Sequence, residues 1–508
     1  MELILLLLSL IILIIAVKKL VIYHYKRLDL YRAGNKIPGP PTLPIIGNAH
    51  HFFGEAEDIV NKVMLLLDNY PSSPARAWLG HKLCVVLFDP EQLKIVFHSP
   101  KTIEKDEMFR FFRPWLGTGL FTAPADKWKV HRKLIMPTFH PRILESFVDI
   151  MDKKSEIMVK VMEVELNKDE FDIFTYISLC TLDIICETAM GVTSNTQTTK
   201  DTSYLEALQK VKEIVYRRMF TIWLYPDIIF NLTKFSRDQD KYIKYLHKQT
   251  NDVIKQKRQQ YSKEINYENN PGDTSQVQRK AFLDLLIELS NQGSELTNEE
   301  LREEVDTIMF GGNDTTATVN SFVIYMLANF PEIQDKCYEE LVEIYGDNIN
   351  ERREIKNEDL SRMEYLERVI KETMRLFPVG PLSIRHVSDD LNIGGGYTLP
   401  KSTTVVLATI KLHRHADIWE DPLRFNPDRF LPEQVAKRHP YAYVPFAAGS
   451  RNCIGMKYAM ISMKILLATL LRNYIFMKDK HVKIEDIKIK ADVTIKTFDP
   501  ISVKIKRR

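Results

Sequence analysis

No two cysteines in this chain stand at the spacing of a metal-binding or redox-active pair. The five present, Cys84, Cys180, Cys186, Cys337 and Cys453, are scattered and odd in number. That argues against a disulfide framework or a zinc ribbon and suits a reducing compartment. Single cysteines are mostly small buried hydrophobes, and four of the five read that way. Net charge is also scarce: +3 over 508 residues gives no general affinity for nucleic acid. Internal repeats are missing, as is any flavin or nicotinamide fingerprint. The one glycine run, Gly394-Gly395-Gly396, lies between strand-like patches and does not open a helix, so it reads as a hairpin turn and not a phosphate loop. What the chain does have is apolar residues, 45% of the total, ample for a large core. Length alone suggests about three domains at roughly 150 residues each, and a single large domain is the other option.

The amino terminus concentrates that apolar character. Leu3 to Val17 carries no charge, and after Lys18 and Lys19 the apolar run resumes at Leu20, Val21 and Ile22. A membrane-crossing helix needs about 20 such residues, with long basic side chains free to snorkel at its end. A secretory leader would start basic and end in a small-residue cleavage site. Here Glu2 comes first and Lys18, Lys19, Lys26, Arg27 and Arg32 follow. The expectation is an uncleaved single-pass anchor over residues 1–25, with the remainder in the cytosol by the positive-inside rule. Residues 26–47 form a basic, proline-rich hinge, in which Pro38, Pro40, Pro41 and Pro44 make a stiff spacer. Residues 48–508 form the body.

Most of the body reads as helix. Thr297 and Glu300 make a capping-box pattern, and apolar periodicity runs on to Ala328 before Pro331. Such a helix would be about 45 Å long, enough to cross a domain. A second helix is expected from Asp359 to Leu376, and a third from Ile454 to Leu471. Strand-like alternation is confined to Ile384–Val405 and Val493–Ile505, and polar Ser262–Gln278 reads as an exposed, mobile loop.

The segment Phe446-Ala447-Ala448-Gly449-Ser450-Arg451-Asn452-Cys453-Ile454-Gly455 carries the strongest chemical signal. A thiolate ligand needs positive charge and donors around the sulfur. Gly449 and Gly455 permit tight turns that aim amides at it, Arg451 adds charge, and the following helix directs its positive end there. This segment resembles the heme-binding signature of the cytochrome P-450 superfamily. The resemblance implies a mainly helical prism with a small β-rich side, with Cys453 as the axial ligand of a heme b iron and Phe446 beside it.

Further matches run in the family's order. Gly311-Gly312-Asn313-Asp314-Thr315-Thr316 lies mid-helix, where two glycines cost about 1 kcal/mol each and threonines can bend the axis. A local distortion is therefore expected. The resemblance makes Asp314 and Thr315 the acid–alcohol pair that relays protons to bound dioxygen. Glu372 and Arg375 share a helix face, and the resemblance joins them to Arg429 in a buried network that locks the cysteine loop. It gives Trp128, Arg132, Arg385 and Arg451 to the heme propionates, where guanidinium groups bond carboxylates in pairs. Lys127, Lys129, His131, Arg132, Lys133, Lys457 and Lys464 form basic patches. They suggest docking of an acidic NADPH-dependent reductase, with cytochrome b5 a further electron donor, since this chain holds no flavin of its own.

Pro114 to Leu120, Trp128 to His140 and Asp306 to Phe310 are similar to family 4 of the superfamily, insect-type. Members hydroxylate fatty acids near the chain end, and those of insects also oxidise hormones, hydrocarbons and foreign compounds. Many carry a glutamate, esterified to the heme, where this chain has Gly311. The expectation here is a non-covalent heme. Phe111, Phe112, Trp115, Leu116, Ile308 and Leu382 are candidate substrate contacts in an apolar pocket. The implied activity is hydroxylation of lipophilic substrates with O2 at the endoplasmic reticulum membrane. A heme-thiolate isomerase or dehydratase of lipid peroxides, or a non-catalytic heme protein, stands as the alternative, and the acid–alcohol pair disfavours both.

Overall fold

The computed structural model describes residues 27–268, 281–291, 296–346 and 353–508, with seven isolated positions between 10 and 22. Most of the expected anchor lies outside them, and no helix among the described residues is long and apolar enough to cross a membrane.

The helices that build the site are α1 (Ala125–Ile135), α2 (Val148–Met162), α3 (Ile173–Thr188), α4 (Ser203–Phe220), α5 (Lys234–Glu268), α6 (Asn298–Asn329), α7 (Pro331–Tyr345), α8 (Glu364–Leu376) and α9 (Met456–Asn473). Helix α6 is the axle, packing on α3, α5, α8 and α9. Its start is the expected capping box: Thr297 Oγ1 accepts from Glu300 N at 3.2 Å, and Glu300 Oε2 accepts from Thr297 N at 2.9 Å. Leu301, Val305, Phe322, Val323 and Leu327 bury its apolar side in the main core.

The strands are β1 (Ala75–Leu79), β2 (Lys82–Leu87), β3 (Phe171–Asp172), β4 (Ser383–His386), β5 (Leu391–Asn392), β6 (Thr398–Leu399), β7 (Thr404–Leu407), β8 (Tyr474–Met477), β9 (Ile489–Ala491), β10 (Ile495–Thr497) and β11 (Ser502–Arg507). A four-stranded sheet runs β1-β2-β7-β4, with β2 parallel to β7 (Val85 opposite Val405) and β4 antiparallel to it (Arg385 opposite Val405). The triple glycine is the turn between β5 and β6, all three residues at positive φ (81°, 59° and 79°), where a side chain would be strained. Strand β9 pairs with β10, and β11 lies between β3 and β8.

Several expectations need correction. The helix expected from Asp359 is two pieces: a short 3-10 turn, Asn357–Ser361, then α8. Asp359 is spent on that turn, accepting from Lys356 N and Arg353 Nη2. Helix α9 starts at Met456 and not at Ile454. The mobile loop expected from Ser262 instead begins as helix, α5 running to Glu268; Lys263 and Glu264 are good helix formers, and 269–280 lie outside the described residues. Helix α6 is continuous from Asn298 to Asn329. Gly312 serves packing, since a Cβ there would fall 2.4 Å from Ile185 of α3, whereas one on Gly311 would meet nothing. Asn313 fixes the contact by donating to the Ser178 carbonyl at 2.8 Å. The proline-rich segment packs against the body. Ile37 is buried, and the Pro38 carbonyl accepts from Arg76 N at 2.7 Å, docking the segment on the edge of β1.

Candidate active site

Beneath α6 lies a cavity of about 420 Å³ with Cys453 in its wall. The loop that presents the cysteine is held by its own backbone: Cys453 N donates to the Phe446 carbonyl at 2.9 Å and Asn452 N to Gly449 O at 3.2 Å. Gly449 has φ +71°, and a Cβ there would sit 2.0 Å from Phe97 O, so no other residue fits. Gly455 has an ordinary φ of −86°; its turn does not require glycine, and its amide faces the sulfur. Cys453 Sγ is accessible only because it faces the cavity, deep in the body. Burial raises its pKa, while the Gly455 amide and Arg132 pull it back.

Four cations gather around this cavity: Lys105, Arg132, Arg385 and Arg451. Arg132, on α1, clamps the loop by donating to Asn452 O and Oδ1, both at 2.8 Å. Arg451 donates to Ala123 O at 2.6 Å and Ile103 O at 2.9 Å, and its guanidinium lies 5.0 Å from the Trp128 ring. Among the described residues Arg385, on β4, donates only to Ser383 Oγ and Ile384 O. Among the described residues no carboxylate is ion-paired with Lys105, Arg385 or Arg451. Burial lowers Arg385 to about 10. Burial and then Arg385 lower Arg451 to about 10, and burial with both arginines lowers Lys105 well below its usual value. Like charges crowded in a buried rim favour an anionic occupant. A group carrying two carboxylates and a metal for the thiol fits this donor set. Lys105 escaped the sequence reading, having no motif around it to mark it.

The opposite wall is α6. Gly311, Thr315, Thr307 and Ile308 line the cavity; Asp314 does not. Thr315 Oγ1 donates back to Gly311 O at 2.7 Å. Asp314 is buried, accepting from Lys212 of α4 at 2.6 Å and from Thr494 Oγ1 at 2.8 Å. Phe112, Leu382 and Ile308 reach the cavity. Phe111, Trp115 and Leu116 do not: the short turns that carry them point these side chains into a separate cluster with Leu208, Val211 and Val215 of α4, and Trp115 packs 5.0 Å from Phe310.

Glu372 and Arg375 are both fully buried on α8 and pair through two contacts, 2.7 and 2.8 Å. Arg375 also donates to His413 O and Pro422 O, each at 2.8 Å. Arg429 stands 3.4 Å from Glu372 without a hydrogen bond and donates instead to Asp421 O; the second contact on Glu372 Oε1 is Asn426 N at 2.9 Å. The basic patch is thinner than the sequence suggested. Lys127 pairs with Glu300, His131 with Glu304, and Lys464 with Glu367. Lys129, Lys133 and Lys457 remain exposed.

The sequence profile described as Cytochrome P450 matches residues 37–505. The chain belongs to the cytochrome P450 family. It is 38% identical to Cytochrome P450 4c3 of Drosophila melanogaster, over 96% of this chain and 92% of that one. It is likewise 38% identical to Cytochrome P450 4V2 of Homo sapiens, over 92% and 89%. The crystal structure of the cytochrome P450DA heme domain superposes with a TM-score of 0.77, at 22% identity, covering 93% of this chain and 98% of that one, and shares the fold. As a family member the protein is a heme-iron monooxygenase, an oxidoreductase.

Proposed function

We propose that this cytochrome P450 hydroxylates neutral or weakly polar lipids, fatty acids or foreign compounds, using O2 and electrons from an NADPH-dependent reductase. The observation that carries the reading is the opposition of Cys453 to Thr315 across a cavity whose walls include Phe112, Phe121, Ile308 and Leu382. Apolar walls with few polar groups suit a lipophilic substrate.

When bound, the heme supplies the oxygen-activating chemistry that inserts one oxygen atom into a C–H bond. Cys453 would hold its iron, with the Gly455 amide and Arg132 supporting the thiolate charge and Phe446 in the same loop. Trp128, Arg132, Arg385, Arg451 and Lys105 would hold its propionates. The Thr315 hydroxyl keeps a proton donor at the cavity wall, and Asp314, one residue away, supplies that hydroxyl from behind. Glu372, Arg375 and Arg429 keep the segment that precedes the cysteine loop in place.

Gly311 faces open space and has no carboxylate to esterify a cofactor. Heme therefore separates from the protein on acid–organic extraction; heme that stays attached overturns this. Residues 1–25 anchor the chain in the endoplasmic reticulum membrane. Exposed apolar side chains support contact with the bilayer: Ile45 is 88% exposed, Ile228 80% and Leu232 83%. Lys129, Lys133 and Lys457 present charge to a reductase and to cytochrome b5. Reconstitution with reductase and a lipid panel tests the reading: NADPH consumption with a hydroxylated product is expected, and no product from any lipid contradicts it.

A further inference from the structure

Lys212 is the only described lysine whose side chain is fully buried between two carboxylates. It lies in the middle of α4 and donates to Asp314 Oδ1 at 2.6 Å, Asp492 Oδ1 at 3.3 Å and Thr494 Oγ1 at 3.5 Å. Burial opposes its charge, but Asp314 and Asp492 outweigh that and raise its pKa. It cannot reach solvent, so its ammonium must be satisfied within this cluster. Lys496 is the other cation facing it, 3.4 Å from Asp492, and Gln209 of α4 donates to Asp492 Oδ2 at 2.5 Å.

Asp492 and Thr494 belong to the three-residue turn between β9 and β10, where Ala491 pairs with Ile495. The residue between them, Val493, has φ +98°. A β-branched residue in that region is strained and persists only where its surroundings enforce it. Ala491, Val493 and Thr494 all line the cavity above Cys453. The turn therefore touches the substrate space with one face and the relay acid with the other. Thr494 does both, since its hydroxyl also donates to Asp314 Oδ2 at 2.8 Å. Ala491 and Asp492 also border a second cavity of about 310 Å³, with Glu213, Ile214, Arg217 and Phe235 among its walls, which gives the turn room to move.

We propose that the β9–β10 turn is the substrate-responsive positioning element for Asp314. Apolar substrate pressing on Val493 and Thr494 shifts Asp492 outward, Lys212 follows the hairpin carboxylate, and Asp314 is released toward Thr315. Empty, the cavity leaves Asp314 tied to Lys212 and Thr494 and withdrawn from the wall. The substrate would thereby arm its own proton relay, and reducing equivalents would not be spent before it arrives. The proposal rests on the monooxygenase reading above. Asp492, Lys212 and Thr494 act through Asp314 and are positioning residues.

Hydrogen exchange on the heme-loaded, full-length protein tests the coupling, with dodecane at saturation as the apolar probe. In the unsubstituted protein the probe should change exchange at 492–495 and also at the α6 turn 311–318, each by about threefold or more, since both report local opening. In Asp492→Asn the turn should still respond while 311–318 no longer does. Thr494→Val removes one of the two ties on Asp314 with little change of shape, and should move exchange at 311–318 part-way toward its probe-bound state even without probe; no movement contradicts the tie. An α6 response that survives in Asp492→Asn, or that is missing from the unsubstituted protein, overturns the proposal. A merely structural role would not alter the fraction of electrons recovered in product. That fraction should vary several-fold with substrate chain length in the unsubstituted protein and become flat in Asp492→Asn; equal variation in both contradicts the coupling. Exchange does not depend on turnover, so failure of the monooxygenase reading would show separately, as absence of product from the unsubstituted enzyme.

Discussion

The two walls of the cavity are held by different physics. The cysteine wall is tied mainly by backbone: Cys453 N to Phe446 O, Asn452 N to Gly449 O, and arginines that end on carbonyls. Behind it, the buried Glu372–Arg375 pair fixes neighbouring backbone at His413, Pro422 and Asn426. The helix wall is tied by side chains from three distant segments, Asp314, Lys212 and the β9–β10 turn. Backbone ties make a rigid platform for a ligand. Side-chain ion pairs with alternative partners make a site that can change state. The comparison teaches that the ligand side is built for stability and the relay side for adjustment.

If that division holds, substitutions on the two walls should separate turnover from stability. The largest effect belongs to the relay. Asp314→Asn or Thr315→Val should lower product formation by about 10²- to 10⁴-fold, the usual worth of a positioned proton donor or acceptor. The thermal midpoint should move far less than in the Glu372 variant, and steady-state product analysis beside calorimetry checks both. Next comes Glu372→Ala, which strands the fully buried Arg375 and should cost about 3–5 kcal/mol by denaturant titration. Arg429→Ala, which loses a 3.4 Å contact with Glu372 and one hydrogen bond to the Asp421 carbonyl but strands no buried charge, should cost clearly less, and equal losses would blur the distinction drawn between them.

The smallest effect is at the start of α6. Thr297→Ala should cost about 1 kcal/mol through loss of the cap. Burial raises the Glu300 pKa, but Lys127 and the Thr297 amide and hydroxyl together outweigh it and hold the carboxyl down at about 2. Its folded value lies below the unfolded one of roughly 4.3. The stabilisation is therefore complete above that value and is lost as pH falls toward 2. Glu300→Gln should remove that acid-side slope, and urea titrations across pH would show it.

Legibility followed the same division. The cysteine segment, the α6 capping box and the Gly394–Gly396 turn were readable because each rests on residues within a few positions of one another. The helical fold was readable for the same reason; the sheets were readable only in part, since β1, β2, β3, β8 and β9 fall outside the two stretches of strand-like alternation. The shape of the relay wall was not. Lys212 meets Asp314 across 102 positions and Asp492 across 280, and no local pattern marks a lysine on an amphipathic helix as one that turns inward. Lys105 was missed likewise: its place in the rim comes from the fold that brings β4 and the cysteine loop beside it. Phe111, Trp115 and Leu116 were misplaced because aromatic composition does not say which way a short turn points. The mid-helix glycines suggested a local distortion; the close approach of α3 accounts for Gly312 and not for Gly311.

The central claim is that Cys453 ligates a heme iron as a thiolate. The absorption spectrum of the reduced, carbon monoxide-bound protein tests it most directly. The unsubstituted protein should give the red-shifted band of thiolate-ligated heme, and Cys453→Ala should lose that band. A thiolate-type band that persists in Cys453→Ala, or an unsubstituted protein that binds heme without ever showing one, would contradict the account.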